Sequence, residues 1–221
     1  MPDSTPDQYR IPLRPAAGEF RDRGSKFVAV LEPVRTEAAA LAVVEREQRI
    51  HHKCNHHCYA YRLGPGQDRW RANDDGEPSG TAGRPILGQI TKSGLSDVVI
   101  VVSRYFGGTK LGASGLINAY RSAAAAALAE TEVGAQPITS RLTLRFGYAL
   151  MTPVMSALSQ LGLDLSEQDF GPTATVAVDL PRSRAERASR ELLAAVAGVY
   201  LAEVDDDFTV PGLELSLREN D

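Results

Sequence analysis

The chain has 221 residues, of which 43% are hydrophobic and 24% charged, a balance that excludes global disorder and suits two modest domains. The formal charge of -4 is uneven: residues 1–137 carry 17 basic against 15 acidic side chains, and residues 138–221 carry 7 against 13, so the basic stripe of a typical nucleic-acid domain is missing. The apolar run at 98–103 is far shorter than the roughly 20 residues that span a bilayer, and Cys54 and Cys58 do not form the disulfide framework of a secreted domain, so a reducing cytoplasm is expected.

Residues 1–24 hold three prolines before position 13 and no apolar signal-peptide core, and read as a leader. A β-branched and apolar run predicts a strand over 25–34. Thr36 is placed to cap a helix running through Arg49, with Ala38, Leu41, Ala42 and Val44 at helical spacing. A short aromatic strand follows at 56–63, closed by the turn Gly64-Pro65-Gly66. Residues 71–83, rich in Gly, Asp, Asn, Ser and Pro, read as an exposed loop. Pro85 suits the first turn of a helix to Lys92. The run DVVIVVSR at 97–104 is a strand whose unbroken Val/Ile content implies burial on both faces. A glycine-rich loop at 105–115 leads to an alanine-rich helix at 116–130, and 134–137 reads as a break between domains.

The second half predicts strand (141–148), helix (152–161), strand (163–170), strand (173–180), helix (184–196) and strand (199–205). That order is βαββαβ, the ferredoxin-like arrangement. Residues from 211 onward read as a tail.

Four segments carry a resemblance: SKF at 25–27, HCYAY at 57–61, DDGEPSGTAG at 74–83 and RYFGGTKLG at 104–112. Together they resemble the IMPACT family, in its bacterial, YigZ-like branch, over about residues 25–130. The resemblance implies an α+β chain of two domains. The first, at 25–135, would be a βα sandwich like a ribosomal protein and domain IV of elongation factor G. The second, at 138–210, would be ferredoxin-like, as in domain V of that factor. It also implies a translation-associated regulatory or binding protein, since eukaryotic members restrain an amino-acid-starvation kinase by competing for its activator. RNA, the ribosome or a translation regulator is the implied partner, and no membrane, cofactor or metal is expected.

On the residues themselves, the glycines of 74–83 allow close backbone approach by a partner, and Asp74, Asp75 and Glu77 suit either a hard cation or an Asx-rich turn capping the helix at Pro85. The loop at 104–115 presents backbone N–H groups beside Arg104 and Lys110, suiting an anion. Lys26, His57, Asp74, Asp75, Glu77, Arg84, Arg104, Tyr105, Gly107, Gly108 and Lys110 are therefore the candidate partner- or anion-binding residues, with the two loops expected side by side. Replacing Arg104 or Lys110 is expected to weaken binding while leaving stability nearly unchanged.

All four histidines and both cysteines fall within 51–58, at zinc-like spacing, but alternation along a strand splits such ligands between faces. Tyr59, Tyr61, Trp70, Tyr105 and Phe106, interleaved with arginines, suit base stacking or ordinary core packing. No catalytic constellation emerges: His57 and Cys58 diverge as strand neighbours, and neither Ser79 nor Ser103 sits in a nucleophile elbow. The alternative is a small-molecule hydrolase or phosphate-handling enzyme using the acidic loop with Arg104 and Lys110.

Overall fold

The computed structural model describes residues 7–66 and 68–220. These fall into two compact units, residues 9–136 and residues 137–220 with 7 and 8.

The larger unit contains all but the first residue of β1 (Gln8–Pro12), then β2 (Ala16–Asp22), β3 (Ser25–Pro33), α1 (Glu37–Ile50), β4 (His56–Arg62), β5 (Trp70–Asn73), α2 (Gly83–Ser93), β6 (Val98–Tyr105), α3 (Gly112–Ala129) and all but the last residue of β7 (Val133–Pro137). Five strands form one sheet in the order β2-β3-β6-β4-β5, and every neighbouring pair is antiparallel. Central β6 is buried on both faces, as its unbroken run predicts. Val98, Ile100 and Val102 join Phe27, Leu31, Ile86, Ile90 and Tyr120 under α2 and α3. Val99 and Val101 join Val43, Val44, Tyr59 and Tyr61 under α1. Thr36 caps α1, its Oγ1 accepting from the Ala39 N–H at 3.1 Å.

The smaller unit runs β8 (Thr139–Phe146), α4 (Met151–Gln160), β9 (Glu167–Phe170), β10 (Ala174–Pro181), α5 (Arg182–Ala197) and β11 (Leu213–Glu219). Its sheet, ordered β11-β8-β10-β9, is antiparallel throughout. Leu142, Leu144, Phe146, Val176 and Val178 pack with Val154, Leu158 and Leu192 of the helices.

The structure corrects several expectations, with residues 1–6 of the expected leader lying outside the described residues. Residues 8–12 and 16–22 are strands: β2 is an edge strand whose alternating half-exposure carries too few apolar residues to stand out. The expected break at 134–137 is β7, which pairs with β1. Residues 70–73 pair with β4, so the loop expected from 71 begins at Asp74. Helix α3 starts at Gly112 rather than Leu116. The last strand is not at 199–205, where a 3-10 turn lies, but in the expected tail at Leu213–Glu219. There Leu213, Leu215 and Leu217 alternate with polar residues and pair with Phe146, Leu144 and Leu142.

Candidate functional site

Strand β5 runs antiparallel to β4, with Asn73 opposite Tyr59, and β4 runs antiparallel to β6, with His56 opposite Arg104. The end of β5, the start of β4 and the end of β6 therefore lie at one end of the sheet. The acidic loop leaves the first of these and the glycine-rich loop leaves the last.

The acidic loop is built from its own polar groups. Asn73 Oδ1 accepts from the Asp75 N–H at 2.7 Å, turning the chain, and Asp75 and Gly76 adopt positive φ of 40° and 84°. Asp74 Oδ2 accepts from the Gly80 N–H at 2.8 Å, and Oδ1 accepts from the Ala82 and Gly83 N–H groups at 2.9 Å each. The carboxylate thus occupies the positive end of α2, as a capping anion does. Burial pushes the Asp74 carboxyl up, but the three backbone donors outweigh it and hold the group below its ordinary value. Asp75 Oδ2 accepts from the His57 N–H at 2.6 Å, and its carbonyl meets His56 Nδ1 at 2.7 Å.

Glu77 is buried, not exposed as a loop carboxylate would be. Its Oε1 accepts from Arg104 Nη1 at 2.7 Å and from the Tyr120 hydroxyl at 2.8 Å. Arg104 is also buried, and its guanidinium carbon sits 5.5 Å from the ring centres of both Phe27 and Phe106. Phe27 and Tyr120 meet edge to face at 5.1 Å, a geometry worth about 1 kcal/mol beyond burial. This network ties the acidic loop, β6 and α3 into one piece.

In the glycine-rich loop, Gly107 touches backbone. A Cβ there would lie 1.9 Å from the Gly24 carbonyl carbon and 2.2 Å from the Ser25 nitrogen. The Gly107 N–H donates to Ser25 Oγ at 3.2 Å. Gly108 has φ 84° with open space beside it. Lys110 and Arg84 are exposed, and Lys26 pairs with Glu19 at 2.7 Å. The Tyr105 hydroxyl bonds His51 Nδ1 at 2.7 Å. His57 is buried, with Nε2 3.3 Å from the His51 carbonyl.

Among the described residues no three His, Cys, Asp or Glu side chains converge as metal ligands do. Cys58 lies in the core, its Sγ donating to the Asp74 carbonyl at 3.0 Å, and burial raises its thiol far above the ordinary value. The aromatic stripe is not one surface. Tyr59 and Tyr61 are core residues, and Trp70 pairs with Arg62 at the opposite sheet end from Tyr105. Sequence reasoning missed Tyr120, Lys53 and Asn55. A single polar-tipped aromatic in an alanine-rich helix was the available signal for the first, whereas the other two are ordinary turn residues.

An Impact N-terminal domain model matches residues 23–128. The chain is 31% identical over 188 residues to the IMPACT family member YigZ of Escherichia coli, covering 84% of this chain and 92% of that protein. It is 48% identical over 96 residues to the IMPACT family member YvyE of Bacillus subtilis, covering 43% and 44%. A crystal structure of a hypothetical protein, 28% identical, superposes with a TM-score of 0.67 over 96% of this chain and 97% of that one. With this similarity extending through both units, the chain belongs to the IMPACT family.

Proposed function

We propose that the protein is a translation-associated regulatory or binding protein that docks on the ribosome, RNA or a translation regulator through the paired loops. The observation that carries this reading is the internal use of all three acidic side chains of the 74–83 segment. Asp74 caps α2, Asp75 holds the start of β4, and Glu77 pairs with Arg104. Carboxylates engaged in this way fix a loop in one conformation and are poorly placed for acid–base chemistry. Next to that rigid loop, Arg84, Phe106 and Lys110 are exposed, which suits recognition of an anionic partner.

Family membership and the two-unit organisation support the translation context. The five-stranded unit is read as the counterpart of elongation factor G domain IV. The βαββαβ unit is read as ferredoxin-like, as in domain V. No helix among the described residues is long and apolar enough to cross a membrane, and a cytoplasmic setting is part of the proposal.

The test is recovery of the purified chain with ribosomes sedimented from a cell extract, with and without ribonuclease, across a salt series. Lys110→Ala and Arg84→Ala should each weaken recovery and lower the salt slope by about one unit if RNA is the partner. Ribonuclease-resistant capture of a translation regulator would identify a protein partner instead. Absence of capture in both arms, combined with hydrolysis of a phosphate ester that Asp74→Asn abolishes, would replace the reading with an enzymatic one.

A further inference from the structure

At the sheet end shared by the loops lies a cavity of about 230 Å³, lined by Lys53, Asn55, His56, Arg104, Tyr105 and Phe106. Arg104 lines this cavity although it is only 8% exposed, and its Nε has no hydrogen-bond partner among the described residues. A buried guanidinium N–H left unpaired is unfavourable, and such groups are ordinarily satisfied by protein, water or ligand. Glu77 occupies Nη1 and Nε is closed to solvent, which leaves Nη2 as the guanidinium group that an oxyanion in the cavity would meet. Glu77 offsets the charge of Arg104, so Lys53 brings the excess positive charge and Asn55 adds donor capacity, while the Nδ1–H of His56 is already given to the Asp75 carbonyl. Phe106, 58% exposed, lies over the same guanidinium. It offers a ring face to a flat group attached to the anion.

We propose that this cavity is a phosphoryl-binding site, with Arg104 and Lys53 on the phosphate and Phe106 against the base of the nucleotide that bears it. The inference deepens the docking surface proposed above, and rests on that reading for its choice of phosphate over other oxyanions. The chemistry is shared by a free mononucleotide and by a nucleotide within single-stranded RNA, and aromatic stacking beside a cation is how single strands are held.

The experiment is titration of the full chain with inorganic phosphate, AMP and a short oligo(A), followed by amide chemical shifts and by calorimetry. Saturable shifts at His56, Tyr105 and Phe106 with a Kd on the order of 1 mM or tighter are expected. Lys53→Ala and Arg104→Lys should each weaken all three ligands about tenfold or more. Phe106→Ala should weaken AMP and oligo(A) while sparing inorganic phosphate, and Lys92→Ala, exposed in the last turn of α2 and outside the cavity, should leave all three unchanged. Oligo(A) binding much more tightly than AMP would make RNA the source of the phosphate, and equal affinities would make it a free nucleotide. Shifts that scatter over the surface, or that persist unchanged in Lys53→Ala, would overturn the site. Phosphate binding without ribosomal recovery would keep the site and remove the translation reading. Ribosomal recovery unaffected by Lys53→Ala, with no phosphate binding, would do the reverse.

Discussion

Replacing Arg104 by Ala tests the ion pair that joins the two loops. The Arg104 and Glu77 side chains are 8% and 4% exposed and 2.7 Å apart. After the substitution Glu77 keeps, among the described residues, only the Tyr120 hydroxyl, and a buried carboxylate is left without its cation. Removing one partner of such a pair costs about 3–5 kcal/mol. For a unit of this size that is a fall in Tm of about 6–20 °C. Trp70, the single tryptophan of the chain, lies in the larger unit, so its fluorescence during urea unfolding reports on that unit alone. The midpoint should fall with little change in slope. Arg104→Met combined with Glu77→Leu should recover most of the loss, because no buried charge remains. A change below about 0.5 kcal/mol for Arg104→Ala, the value usual for an exposed residue, would refute the reasoning and restore the expectation drawn from sequence.

Asp74→Ala should destabilise the larger unit by about 1–2 kcal/mol through loss of the α2 cap. Because the folded Asp74 carboxyl is held below its ordinary value, its contribution is present above the ordinary carboxylate range and lost as pH falls through it. The stability gap between the natural chain and Asp74→Asn should therefore shrink between neutrality and about pH 3, and a gap independent of pH would contradict this. Gly107→Ala should cost more than about 2 kcal/mol, since its Cβ would meet backbone. Gly108→Ala, strained in φ but unobstructed, should cost about 1–2 kcal/mol, and the reverse order in thermal unfolding would count against the Gly24–Gly107 contact. Burial raises both the Cys54 and Cys58 thiols, so a chromogenic disulfide reagent at neutral pH should titrate them only after denaturant is added. Prompt reaction of Cys58 in the native chain would show that the core around it opens.

Much of the fold was legible because local pattern and tertiary role agreed. The Val/Ile run of β6 demanded a central strand, and Thr36 marked the start of α1. Strands β8 and β10 overlap the strands expected at 141–148 and 173–180. Where the burial was one-sided and shallow, the pattern was too weak to read. Strand β2 is half exposed throughout, β5 has four residues with an exposed Trp70, and β11 resembled a tail although Leu213, Leu215 and Leu217 alternate correctly. Each is an edge strand, specified by its neighbour as much as by itself.

The candidate site divides in the same way. The glycines and carboxylates of 74–83 and the glycines of 104–112 marked segments of tight turns and close backbone contacts, because those conformations demand such residue types wherever they occur. Their partners were decided by the antiparallel order β5-β4-β6, which brings both loops to one end of the sheet. The adjacency of the loops follows from β5, the strand that composition concealed. That order also carries Glu77 inward to Arg104 and Tyr120, residues 27 and 43 positions away in the chain. A lone carboxylate in a loop sequence looks solvent-exposed, since burial of a charge becomes favourable only when a distant cation and hydroxyl are delivered to it by the sheet.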